Sequence, residues 1–144
     1  MKGLLTHIVG TFLLLSTLAS CNLEHEDNGD LDGYWHVVRI DTLATGGSCY
    51  KSNERMYWAV QGRLLNLTGG NLSVFLYFRH EGDGLSVYSP ALDDRLQGDP
   101  VLTDEKALED YGIAGLGETF TIEHLSKKKL TLKGSLFRVA LKKQ

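Results

Sequence analysis

The chain has 144 residues, 42% of them hydrophobic, and 15 Lys and Arg against 18 Asp and Glu give a formal net charge of −3. That length suits one domain with one modest core, and a mildly acidic balance with no clustered basic stretch argues against a nucleic-acid surface. Two cysteines, Cys21 and Cys49, are too few for the disulfide framework that holds many small secreted domains together.

The chain starts with a base, Lys2, and an apolar run from Ile8 to Leu18 broken only by Gly10, Thr11, Ser16 and Thr17. Charged start, apolar middle and small residues at the cut are the layout of a secretory signal. The run is about half the roughly 20 residues a membrane-spanning helix needs. Leu18-Ala19-Ser20-Cys21 resembles a bacterial lipobox, in which the Cys is acylated and becomes the new N-terminus; an ordinary secretory signal with an incidental Cys is the alternative. The resemblance implies a signal peptide at residues 1–20 and lipidation at Cys21. Asn22 in place of an Asp implies sorting to the outer membrane. Two or more acyl chains hold a protein stably on a bilayer. The stretch 21–32 carries Glu24, Glu26, Asp27, Asp30 and Asp32 with little apolar content, and reads as a solvated tether. An acidic chain gains nothing electrostatically from anionic lipid, so the anchor is expected to do the holding.

Residues 33–144 form the folded domain, and strand signals dominate it. Tyr34 to Thr42 is apolar and β-branched enough for a first strand. A Gly- and Ser-rich loop, Ala44–Asn53, leads to a run from Arg55 to Gln61, then Gly62, then a run from Arg63 to Thr68. A glycine between two such runs marks a bend that lets a sheet curl. Gly69-Gly70 supplies a hairpin turn, and Leu72 to Phe78 returns with apolar residues on both faces. Gly82-Asp83-Gly84 turns again into Leu85–Ser89.

Pro90 to Pro100 is irregular. Thr103 is placed as a helix N-cap with Asp104 and Glu105 in the first turn, Leu108 and Tyr111 form a narrow apolar stripe, and Gly112 stops the helix. Three more strands follow, Thr119–Leu125, Lys129–Lys133 and Leu136–Lys142. The last places Phe137, Val139 and Leu141 on one face and Arg138, Ala140 and Lys142 on the other. The sum is an all-β fold with one short helix and seven or eight antiparallel, mostly hairpin-linked strands. A meander of that size avoids exposed edges by closing on itself, so a small up-and-down barrel is predicted, with a curled open sheet or a sandwich as alternatives.

Gly33-Tyr34-Trp35, directly after the tether, resembles the Gly-x-Trp start of the lipocalin-like, or calycin, families. Lipobox, acidic tether and the C-terminal strands make the layout similar to the short lipocalin-like lipoproteins of Gram-negative envelopes. The resemblance implies a lipocalin-like β-barrel whose floor is closed by Gly33 and Trp35. It also implies an Arg near the last strand lying over the Trp face, a cation–π contact, for which Arg138 is the candidate. The chain is shorter than full lipocalins, which implies a smaller or collapsed interior.

No catalytic constellation is visible, so the protein is not expected to be an enzyme, and no cofactor is implied. His36, His80 and His124 fall on separate runs without a metal-ligand spacing, and Asp93, Asp94 and Asp99 lack a calcium-loop spacing, so no metal site is expected. Cys49 has no local partner that would make it a nucleophile. Met56, Trp58, Phe75, Tyr77 and Tyr88 are the candidates to line a ligand site, with Ala44–Asn53 and Pro90–Pro100 as gating loops. Two functions follow as expectations. One is a lipid-anchored envelope protein binding a small apolar or amphipathic ligand in or at the mouth of the barrel. The other is a filled barrel serving as an interaction or accessory subunit of an envelope complex.

Overall fold

A computed structural model describes residues 27–144; the leader, Cys21 and the tether up to residue 26 lie outside the described residues. Nine strands follow in chain order: β1 Gly33–Thr42, β2 Ser48–Tyr50, β3 Tyr57–Gln61, β4 Leu64–Thr68, β5 Val74–Glu81, β6 Gly84–Leu92, β7 Glu118–Leu125, β8 Lys129–Lys133 and β9 Phe137–Lys143. All pairs are antiparallel, β3 through β9 run in sequence order, and β9 returns to pair with β1. The sheet therefore closes as an eight-stranded barrel, which removes the open edges that a flat meander would expose.

β2 falls inside the expected Ala44–Asn53 loop and lies in line with β3. It pairs Arg39–Asp41 on the mouth half of β1, while β3 pairs Gly33–His36 on the other half. Its three residues are exposed, so no hydrophobic alternation announces it. The bulge between Val37 and Arg39 opposite β9 bends β1 and lets it serve all three neighbours.

Strand alternation sorts the side chains cleanly. Trp35, Val37, Trp58, Val60, Leu65, Leu67, Val74, Leu76 and Phe78 are all buried inside, and their neighbours in sequence face out. One end of the barrel, the floor, carries the chain start and the turns after β3, β5 and β7. The other end, the mouth, carries the loops after β1, β4, β6 and β8.

The predicted helix over Thr103–Gly112 does not form. That segment is a series of turns, Ala107 N–H to Asp104 O and Glu109 N–H to Lys106 O, ending in a single 3-10 turn at Glu109–Tyr111. The side chain of Asp104 turns back on the Lys106 N–H, 3.0 Å away. A helix of this length is marginal in water, and Leu108, Tyr111 and Ile113 gain more by burying together, at 0%, 1% and 0% exposure, than a two-residue stripe would. Gly112 does end the segment, with φ +84.

Candidate functional site

The floor is closed by the 3-10 turn Gly29–Leu31 and by Trp35. Leu31 is buried, and the Trp35 indole N–H donates to the Leu31 carbonyl at 2.8 Å. Gly33 holds φ +140, and a Cβ there would sit 3.0 Å from Lys143 Cε, so glycine admits the close approach of the last strand. The cation over the Trp35 ring is Lys143, with Nζ 4.7 Å from the ring centroid. The same ammonium donates to the carbonyls of Asp30 at 2.7 Å and Asp32 at 2.8 Å.

Arg138, expected in that role, stands elsewhere. It pairs in register with Asp41 near the mouth end of β1, whereas Trp35 pairs with Lys143 at the floor. Its guanidinium faces outward and holds Glu123 through two bonds, Nε to Oε2 at 2.7 Å and Nη2 to Oε1 at 3.0 Å. Those bonds keep the Glu123 carboxyl below the usual carboxylate range. The alternation that sends Phe137, Val139 and Leu141 inward reaches Lys143 two residues later, and that signal is present in the sequence.

The interior is packed. Trp35, Trp58, Leu65, Leu76, Phe120 and Leu132 leave at most 1% of their surface accessible, so no water-sized space opens against them. Trp58 meets Phe120 edge to face at 5.9 Å. Trp58 Nε1 is buried with no hydrogen-bond partner.

The mouth is closed by the segment after β6. Leu102, Leu108, Tyr111 and Ile113 turn down into it. The Tyr111 hydroxyl donates to the Leu72 carbonyl at 2.7 Å and accepts from the Gly70 N–H at 2.8 Å, which ties the cap to the β4–β5 hairpin. Burial pushes the Tyr111 phenol up, and the Gly70 bond does not offset it. On the far side Gly112 lies so close to β9 that a Cβ would overlap Val139 Cγ2. Glu118 fastens the end of the cap, accepting from the Ala114 N–H at 2.8 Å and the Ser135 N–H at 2.6 Å.

Of the candidate ligand-lining residues, Met56 and Trp58 are inside, at 2% and 1% exposure, as part of the core. Phe75, Tyr77 and Tyr88 face the other way: Phe75 is half-buried on the outside, and Tyr77 and Tyr88 are exposed. Val74, Leu76 and Phe78 take the interior positions of β5 instead. An apolar strand on both faces offers two registers of inside and outside, and only pairing with β4, where Leu65 and Leu67 are inside, chooses between them.

The outward aromatics form a continuous face. Tyr34, Ala59, Asn66 and Phe75 are successive register partners across β1, β3, β4 and β5, and Leu64, Tyr77 and Tyr88 form the next row. Tyr34 stacks on Tyr57 at 4.5 Å and Tyr77 on Tyr88 at 6.0 Å. Two shallow depressions of about 500 and 300 Å³ share Leu64 and Phe75, making one apolar groove on the outside of the barrel.

The remaining candidates stay apart. His36 Nε2 lies 2.6 Å from the Glu54 carbonyl oxygen and His80 Nε2 lies 2.9 Å from that of Gly82, while His124 is exposed on β7. Cys49 is a free, exposed thiol on β2. Among the described residues no three of His, Cys, Asp and Glu come together as a metal site. The Ala44–Asn53 loop contains β2 and is thereby docked on β1. Pro90–Pro100 begins as the end of β6 and leads into the cap.

A family model described as a lipocalin-like domain matches residues 14–144. The chain belongs to the lipocalin-like family. A lipocalin-like protein from Bacteroides uniformis ATCC 8492 superposes with a TM-score of 0.59 at 21% identity, over 81% of this chain and 100% of that one. An uncharacterized protein from Bacteroides eggerthii DSM 20697 superposes with a TM-score of 0.54 at 13% identity, over 78% of this chain and 98% of that one. At those identities the likeness is one of fold. No curated protein matches. Lipocalin-like barrels are typically non-enzymatic and are built as ligand-binding containers; in this member the container is full.

Proposed function

We propose that this lipocalin-like protein is a non-catalytic lipoprotein, anchored to the outer membrane through Cys21. We further propose that it works through its outer surface, as an interaction or accessory subunit of an envelope complex. The observation that carries the reading is the filled barrel: Trp35, Trp58, Phe120 and Tyr111 occupy the space a ligand would take, each at 1% exposure or less. The cap that closes the mouth is the natural recognition element, a loop held by a rigid scaffold. Between Asp93 and Asp110 it carries seven carboxylates against Arg95 and Lys106, and it presents Leu96 at 99% exposure. A partner with a basic face suits it. A photo-crosslinker at Leu96 in the full chain, activated in intact cells, is expected to trap one discrete protein. A chain that stays monomeric and partner-free sinks the reading.

A second reading is supported by Trp58 Nε1, a buried donor with no acceptor, which is costly unless something accepts from it. A small apolar ligand carrying one acceptor would satisfy it once the 108–113 segment lifts off the mouth. Native mass spectrometry of the protein taken gently from its own envelope separates the two: a reproducible added mass favours the carrier, a bare mass the filled barrel.

A further inference from the structure

The outer aromatic groove has no role in either reading, and the place where the chain leaves the described barrel gives it one. Asn28 Nδ2 donates to the Gly62 carbonyl at 2.9 Å, which pins the chain start beside the β3–β4 turn at the floor. Two residues past Gly62, Leu64 already lines the groove. Cys21 stands seven residues before Asn28, so its Cα lies within about 25 Å of that of Asn28 even with the chain fully extended. A bilayer holding the anchor is thus kept beside the floor end of this face.

The chemistry of the face fits such a neighbour. Tyrosines with an apolar ring and a polar tip are the residues that settle at a membrane interface. Tyr34, Tyr77 and Tyr88 are 43%, 49% and 40% exposed around Leu64 and Phe75. At the floor border, Arg79 and His80 line a polar hollow of about 400 Å³ that also touches Asn28, and a guanidinium such as that of Arg79 suits lipid phosphates. Among the described residues that line the groove and the hollow, two are carboxylates: Asp99 at the mouth end, and Glu81, which lies 3.8 Å from Arg79. The opposite wall, β7 to β9, carries the Glu123–Arg138 pair and exposed Lys129, Lys133 and Lys142, with no comparable aromatic band among the described residues.

We infer that the aromatic face formed by Tyr34, Leu64, Phe75, Tyr77 and Tyr88 is the surface on which the barrel lies against the lipid bilayer. This rests on the proposed anchoring at Cys21. The acidic cap, at the other end of the barrel from the tether, borders this face at Asp99, and the rest of it stays open to a partner.

The test uses the full mature protein extracted from membranes and returned to phosphatidylethanolamine–phosphatidylglycerol vesicles that contain a phospholipid with a photoactivatable carbene precursor. Flotation reports anchoring, and mass mapping of the labelled residues reports contact. Labels on Tyr34, Leu64, Tyr77 and Tyr88, with Tyr50 on β2 spared, are the expected result. The double variant Tyr77→Ser, Tyr88→Ser, two exposed positions that the core does not need, is expected to float as before while labelling across the remaining face falls about fivefold. Floating protein labelled only on the tether, on Tyr50 or on β7–β9 overturns the inference and leaves the anchor standing. Cross-links joining two copies through this face also overturn it, in favour of a dimer. Protein that does not float overturns the anchoring reading and the inference together.

Discussion

Gly112→Ala tests whether the cap is seated in the mouth as the structure has it. Gly112 has φ +84, where an L side chain costs about 1 kcal/mol. The added methyl would overlap Val139 Cγ2, and overpacking of that kind costs about 1–3 kcal/mol more. A destabilisation of about 3 kcal/mol is expected from the two causes together. Val139→Ala alone removes two methyls from a fully buried position, at about 2 kcal/mol. In the double variant the overlap is gone and only the backbone cost of an alanine in place of Gly112 is added, so the pair should cost about 3 kcal/mol rather than the additive sum of about 5. Urea unfolding followed by the fluorescence of buried Trp35 and Trp58 measures each variant, with an unchanged m-value as the check on the two-state comparison. Effects that add to within about 0.5 kcal/mol would refute the contact between cap and β9.

Tyr111→Phe leaves the Leu72 carbonyl and the Gly70 N–H without their partner and is expected to cost about 2 kcal/mol in the same assay. The phenol also has a pH signature. Its folded value is raised above the ordinary 10.0, so its contribution is whole below the unfolded value and fades as pH climbs through the folded one. The stability gap between wild type and Tyr111→Phe should accordingly narrow above that ordinary value. A gap that is flat with pH contradicts the buried neutral hydroxyl. At the floor, Lys143→Met removes the cation over Trp35 and two bonds to carbonyls, at an expected cost of about 2 kcal/mol, together with a changed near-ultraviolet dichroism signal. Arg138→Met should leave that signal untouched, and the reverse pattern would return the floor cation to Arg138.

Much of this protein is legible without coordinates. Period-two alternation and glycine turns locate eight of its strands and the closed meander, because a strand half-buried in a barrel writes its two faces into alternate residues. Gly33-Tyr34-Trp35 is placed at the floor by resemblance alone, and the close approach of Lys143 at Gly33 supplies the physical need for that glycine. β2 escapes because all three of its residues are exposed and carry no alternation. The cap reads as a helix because local spacing favours one, while burial of Leu108, Tyr111 and Ile113 across the barrel mouth does not. Lys143 is within reach of the alternation in β9, one inward position beyond Leu141. What no local pattern holds is which face of an amphiphilic strand looks inward. Phe75 is as apolar as the residues that take the interior, and Tyr77 and Tyr88 offer rings large enough to compete for it, yet the register with β4 and β6 puts all three outside. Alternation is a property of one strand and can be read along it; inside and outside are relations between strands, and exist only once the barrel has closed.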